Sequence, residues 1–192
     1  MTISAPSPER ARWQPEALLC QAASRWAARR AVHRTFGVVS RLGDGWIWYG
    51  LMAVLATCAG KRGLHAALQM ACTGIVAWLL YRTLKRRTRR LRPFRVYSGV
   101  IARAPPLDEY SFPSGHTLHA VSFGIVAAGW FPFLTVPLSL FAALVATSRV
   151  VLGLHYPTDV LAGAALGTLL GVGSLWIDPL LIAALQAWVT AG

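Results

Sequence analysis

Uncharged apolar runs alternate with short, strongly basic links along this chain. The runs cover residues 45–60, 64–81, 117–148, 160–177 and 179–192. A helix that crosses a bilayer needs about 20 apolar residues. Residues 64–81 and 160–177 come near that length, while 45–60 and 179–192 fall short. The run 117–148 is too long for one helix and breaks at Trp130-Phe131-Pro132-Phe133, because proline cannot continue a helix interior. Two shorter helices are therefore expected there. Trp46, Trp48, Trp78, Tyr81, Trp130 and Trp176 lie near the ends of runs, where a membrane–water boundary collects aromatic rings. Gly163, Gly167 and Gly171 fall on one helix face and allow a neighbouring helix to pack closely. The pattern predicts an all-α, integral-membrane helical bundle with five membrane helices. Residues 179–192 read equally as a short sixth span or an interfacial helix.

Upstream of residue 45 the pattern changes. Residues 1–8 are rich in Pro and Ser and read as a disordered tail. In 15–42, Ala17, Leu18, Ala22, Trp26, Val32, Phe36 and Val39 are interleaved with Arg25, Arg29, Arg30, Arg34 and Arg41. That is too much charge for a span, and it fits an amphipathic helix lying in the interface, with a soluble docking helix as the alternative. The chain thus divides into a tail and interfacial helix, 1–44, and a membrane unit, 45–192.

Composition sharpens this picture. Of 192 residues, 55% are hydrophobic and only 14% charged, against about 25% charged in soluble domains. The net charge of +12 is concentrated in 10–41 and 82–95. Such a basic excess suits an anionic membrane surface or an anionic substrate. Nucleic acid is excluded as the partner, since no binding motif accompanies the charge. Cys20, Cys58 and Cys72 have no metal-ligand spacing and read as small buried apolar residues. No cleavable signal peptide is expected, because 1–12 has no apolar core.

The candidate chemistry sits at the edges of the runs. Lys85, Arg92-Pro93, Pro113-Ser114-Gly115-His116, Ser148-Arg149, His155 and Asp159 all come to one membrane face if each run crosses once. Lys85, Arg92 and Arg149 can meet the spread charge of a transferring phosphoryl group. The helix start at Ser114-Gly115-His116 offers free backbone N–H groups to an anion. Asp159, four residues after His155, can fix the imidazole tautomer and leave the other nitrogen to attack phosphorus. His116 is then the acid that protonates the departing alkoxide. No acidic cluster suited to a divalent cation is present, so no metal and no cofactor is expected.

Lys85-x6-Arg92-Pro93, Pro113-Ser114-Gly115-His116 and Ser148-Arg149-x5-His155-x3-Asp159 together resemble the three-part signature of the type 2 phosphatidic acid phosphatase and vanadium haloperoxidase superfamily. The resemblance spans about residues 64–171. It implies an all-α bundle, a phosphohistidine formed on His155, Asp159 as its partner and His116 as the acid. It also implies a phosphate cradle of Lys85, Arg92, Ser114, Gly115 and Arg149. The substrate class implied is a lipid phosphate or diphosphate, such as phosphatidic acid, phosphatidylglycerol phosphate or a polyprenyl (di)phosphate. The alternatives are a vanadate-dependent, haloperoxidase-like enzyme and a non-catalytic protein that binds lipid headgroups. The apolar spans argue against the first, and the two histidines with their carboxylate argue against the second. His119 reads first as a packing residue. Tyr110 and Phe112 read equally as headgroup wall or helix cover, and Arg86, Arg87, Arg89 and Arg90 as membrane anchors. Every Lys and Arg except Lys61 and Arg62 falls on the active face. The positive-inside rule therefore places that face in the cytoplasm of a bacterial membrane, although many membrane relatives work on the outer face.

Overall fold

A computed structural model describes residues 14–191 and places the side chains of 15–178. The expected tail, 1–8, lies outside the described residues. Helices α1 (Gln14–Trp26) and α2 (Arg30–Leu42) lead into α3 (Trp46–Cys58) and the long α4 (Gly60–Thr88). A single turn, α5 (Pro93–Val96), and an irregular link precede α6 (Gly115–Trp130). A 3-10 turn at Pro132–Leu134 joins α6 to α7 (Thr135–Val151), and α8 (Pro157–Ala191) closes the chain. Among the described residues the one extended pairing is an isolated bridge between Leu91 and Tyr110. The protein is an all-α membrane bundle.

Helices α3, α4, α6, α7 and α8 occupy the five apolar runs, and the break at Pro132 falls where expected. Among the described residues three stretches, Gly60–Thr88, Pro132–Val151 and Pro157–Asp178, are long and apolar enough to cross a membrane. Their lengths are uneven. The 13 residues of α3 reach about 20 Å, while the 29 of α4 reach about 43 Å. The last turns of α4 therefore stand clear of the apolar belt and carry Arg82, Lys85, Arg86 and Arg87 past the end of α3. That belt is made of exposed Leu68, Ile75, Val76, Val136, Leu140, Leu161 and Leu169, a surface that water would not tolerate and lipid would.

Two expectations are corrected. The segment 15–42 is two helices rather than one, divided at Ala27-Ala28-Arg29. Tertiary packing makes that break: Ala27 and Phe36 bury against Val151, Leu152 and Leu154 at the turn after α7, and one straight helix would not reach both. Residues 179–191 are not a separate sixth segment, because α8 runs unbroken through Pro179. Membrane helices tolerate an internal proline where neighbouring groups take up the freed carbonyl. The cysteines divide as well. Cys20 is buried beside Val100 and Tyr156, but Cys58 and Cys72 lie on the outer surface of their helices, since in lipid an apolar residue has no reason to turn inward.

The core is centred on α6. Trp48 inserts between Phe123 and Phe141, with ring centroids 5.5 and 5.6 Å away. On its other side α6 lies against α8, and the glycine repeat sets how closely. A Cβ on Gly163 would come 2.6 Å from the Ser114 carbonyl oxygen, and one on Gly167 would come 2.6 Å from that of Leu118. Real Cβ atoms do not approach so near. The seam is backbone against backbone.

Candidate active site

Three helix ends and two links meet at one end of the bundle. Around them lies a cavity of about 1040 Å³. Lys85, Arg92, Gly115, His116, Arg149 and His155 line it together, as the parity of the crossings required. Asp159 and Ser114 lie just behind the wall, both fully buried.

His155 sits in the tight link between α7 and α8. Its backbone N–H donates to the Arg149 carbonyl at 3.1 Å, so the nucleophile candidate and the cation are held by one turn. Gly153, with φ +74, makes that turn possible. Nε2 of His155 lies 3.3 Å from Arg92 Nη1, on the cavity side. Nδ1 faces Asp159 Oδ2 at 3.5 Å, close enough for charge attraction but long for a hydrogen bond. Nδ1 is accordingly buried without a hydrogen-bond partner. Burial, and then Arg92, Arg149, Lys85 and His116 around it, push the His155 imidazole well below its ordinary 6.5. The neutral form, which carries the nucleophilic lone pair, is therefore the resident one.

Asp159 has two further tasks. Pro157 opens α8, and Asp159 reaches back so that Tyr156 N–H donates to its Oδ2 at 2.9 Å, the reciprocal half of a capping box. Its Oδ1 accepts from Arg90 Nη1 at 2.7 Å. Arg90, expected as a headgroup anchor, is thus part of the site's frame. It also donates to Glu16 Oε2 at 2.7 Å and stacks over the Tyr156 ring, 3.9 Å from its centroid. The left-handed turn at Arg89, φ 48, ends α4 and aims Arg90 inward.

The helix start at Ser114 is tied to the same frame, since Ser114 N–H donates to the Asp159 carbonyl at 3.0 Å. Gly115 lines the cavity, but the Ser114 hydroxyl turns to Thr117 Oγ1, 3.0 Å away. What this turn offers an anion is backbone. His116 pairs through Nε2 with Asp44 Oδ1 at 2.6 Å. Burial works against the Asp44 carboxylate, but the His116 hydrogen bond and the charges of His116, Arg149 and Arg41 outweigh it and hold its pKa low. His119 both packs and lines: its ring bridges the carbonyls of Gly115 (2.8 Å) and Gly74 (3.3 Å) and borders the cavity. Tyr110 is a wall residue.

The cations are buried and well held. Arg149 donates to Ser40 Oγ, and Arg92 Nη1 to the Leu154 carbonyl at 2.8 Å. Lys85 Nζ and Arg92 Nη2 both reach Asp108, at 2.6 and 2.8 Å. For Asp108 the burial penalty is exceeded by Lys85 and Arg92, which keep the carboxyl below its ordinary range. Sequence reasoning missed Asp44, Asp108, Arg90, Glu16 and Ser40. Only Asp44, set between Gly43 and Gly45, carried a readable local signal of a tight turn.

Away from the charges the cavity continues as an apolar groove along Trp48, Met52, Ile75 and Trp78. A phosphate at the cations and an alkyl chain in the groove would be parts of one ligand.

Comparison with known proteins agrees with this geometry. The chain is 32% identical over 133 residues to the decaprenylphosphoryl-5-phosphoribose phosphatase of Mycobacterium tuberculosis, covering 69% of this chain and 73% of that one. It is 30% identical over 144 residues to an undecaprenyl-diphosphatase of Sulfolobus acidocaldarius, covering 73% and 68%. The crystal structure of a transmembrane phosphatidylglycerolphosphate phosphatase from Bacillus subtilis superposes with a TM-score of 0.70 at 26% identity, covering 88% of this chain and 87% of that one. A bacterial vanadium-dependent iodoperoxidase superposes with a TM-score of 0.72 at 15% identity, over 90% of this chain and 50% of that one, and so shares the fold. Residues 62–182 match the PAP2 superfamily, and the chain belongs to it.

Proposed function

We propose that this protein is an integral-membrane phosphatase that hydrolyses a lipid phosphate or diphosphate through a phosphohistidine on His155. The observation that carries the reading is the cavity in which three cations and two histidines open onto an apolar groove. Lys85, Arg92, Arg149 and the backbone at Ser114 and Gly115 bind the phosphoryl oxygens. Nε2 of His155 attacks phosphorus as the bond to the alkoxide or phosphate leaving group breaks, and His116 protonates the departing oxygen. Water then attacks the phosphohistidine and gives its proton to His116, the N–P bond breaks, and phosphate and neutral His155 are regenerated. Asp159 balances the charge that appears on the His155 ring during attack.

Residues 45–192 form the phosphatase unit, and within the preceding segment, 1–44, Glu16, Ser40 and Asp44 brace the site. The active face lies in the cytoplasm of a bacterial membrane, because the basic excess remains there after the ligand cations are set aside. A cysteine at position 98, in a background lacking Cys20, Cys58 and Cys72, tests this: labelling of intact cells by an impermeant thiol reagent would reverse the orientation. The function is tested by phosphate release from phosphatidic acid, phosphatidylglycerol phosphate and polyprenyl diphosphate in the presence of EDTA. At least one should be hydrolysed, and no release from any of them by pure, folded protein would overturn the reading.

A further inference from the structure

The carboxylate of Asp108 occupies donors that a substrate phosphate needs. Lys85 Nζ contacts both its oxygens, at 2.6 and 2.8 Å, and Arg92 Nη2 contacts Oδ1 at 2.8 Å. Arg92 Nε donates as well to the Asp108 carbonyl, at 3.0 Å. Two of the three cradle cations are therefore engaged by one acidic residue.

If one partner is to move, it is Asp108. The side chains of Lys85 and Arg92 are 8% and 2% exposed, whereas that of Asp108 is 37% exposed. It hangs from an irregular link fixed at both ends. Upstream, Arg103 N–H donates to the Leu152 carbonyl at 3.0 Å; downstream, Ser111 N–H donates to that of Arg90 at 2.8 Å. Between them Pro105 and Pro106 have no N–H to donate, and Leu107 is exposed.

Charge decides what can displace it. The wall carries Arg82, Lys85, Arg86, Arg92 and Arg149 against Asp44, Asp108 and Glu109, so two positive charges are unbalanced. A phosphodiester carries one negative charge, and exchanging it for Asp108 improves nothing. It also competes with a tethered carboxylate whose effective concentration is on the order of millimolar or more. A terminal phosphate carries about −1.5 to −2 at neutral pH and gains from the exchange. The distinction matters at this site because the surrounding membrane is itself made of diester headgroups.

We propose that Asp108 is a charge gate: a tethered carboxylate that withholds Lys85 and Arg92 from phosphodiester headgroups and yields to the terminal phosphate of a mono- or diphosphate ester. This rests on the proposed function and adds to it the basis for excluding the bulk lipid. The test is Asp108→Asn in neutral maltoside micelles. Its affinity for orthovanadate, read by calorimetry, should rise about ten-fold over wild type. Added phosphatidylglycerol should raise its KM for phosphatidic acid without changing kcat, while the wild-type KM stays flat. Equal or weaker orthovanadate binding by the variant, or the same phosphatidylglycerol response in both proteins, would overturn the gate. Should the Asn variant not accumulate, Asp108→Ser carries the same expectations. In the wild type, hydrogen exchange at 107–109 should quicken when inorganic phosphate binds at pH 8, where it is doubly charged; unchanged or slower exchange counts against the gate. Turnover of phosphatidic acid by wild type is measured first. Its failure would strike the proposed function, while the calorimetry judges the gate separately.

Discussion

The bundle carries one His–Asp pair at its far end and two at the active end, where His116 and Asp44 are 2.6 Å apart. The far pair differs from His155–Asp159 in an instructive way. At the far end, His65 Nε2 meets Asp178 Oδ1 at 2.7 Å, joining the start of α4 to α8. Around it Gln69 donates to the Ser174 carbonyl at 2.9 Å, Trp130 donates to Gln69, and Thr73 donates to Ser174 Oγ at 2.9 Å. His65 is 36% exposed there. At the active end, His155 and Asp159 are 2% and 0% exposed, their nearest atoms are 3.5 Å apart, and the ring is faced by cations. The better hydrogen bond belongs to the clamp. The looser pair holds the proposed nucleophile, whose ring gains charge only during attack and can draw closer to Asp159 then.

Removing each histidine in turn gives the largest expected contrast. His155→Ala should lower the rate of phosphate release by about 10⁴-fold or more, while His65→Ala should stay within a few-fold of wild type. Comparable losses in the two variants would erase the distinction. Asp44→Asn comes next, since it strips His116 of its carboxylate. We expect about a 10²-fold loss on a lipid substrate with a poor alkoxide leaving group. Much less should be lost on an aryl phosphate, and equal losses on both would mean that Asp44 does not serve leaving-group protonation.

The third contrast is pH. In the unfolded chain His155 takes a proton below about 6.5, whereas in the fold burial and the surrounding cations keep it neutral to far lower pH. The unfolded state therefore binds more protons as pH falls below 6.5, and stability declines there by up to about 1.4 kcal/mol per pH unit. The melting temperature should fall between pH 6.5 and 5.5, and His155→Gln should flatten that slope. Asp108 cannot produce it: its lowered carboxyl pKa preserves its contribution above the ordinary carboxylate range, and loss begins only in stronger acid. An unchanged slope in His155→Gln would place the titration elsewhere. The smallest effect is that of Asp178→Asn, a partly exposed pair worth about 0.5–1 kcal/mol, seen as a modest drop in melting temperature with phosphate release intact.

Much of this arrangement is legible in the order of residues alone. The crossings alternate, so Lys85, His116 and His155 have to share an end, and Pro132 has to mark a turn. The glycine repeat foretells the α6–α8 seam because small residues at every fourth position leave one bare face. Partners that depend on how links fold are not legible. Asp108 reaches the cradle from an irregular segment, and Arg90 is aimed by a left-handed turn at an arginine. Glu16 and Ser40 arrive from α1 and α2, whose division at Ala27 carries no glycine or proline. Cys58 and Cys72 mislead because burial in water's sense does not apply to a surface that lipid covers.

The seam between α6 and α8 has a consequence for how such a protein can change. His116 and His155 stand at neighbouring helix starts joined by Ser114 N–H and the Asp159 carbonyl, and below that joint the glycines bring main chain to main chain. The separation of the two histidines is thus set by peptide units rather than by side-chain size. Residues on the outer faces of α4, α7 and α8 can drift to suit another bilayer thickness or another hydrocarbon tail, and the chemistry stays in tune. A larger residue at Gly163 would have no such freedom, because the distance it alters is the one between the proposed nucleophile and the proposed acid.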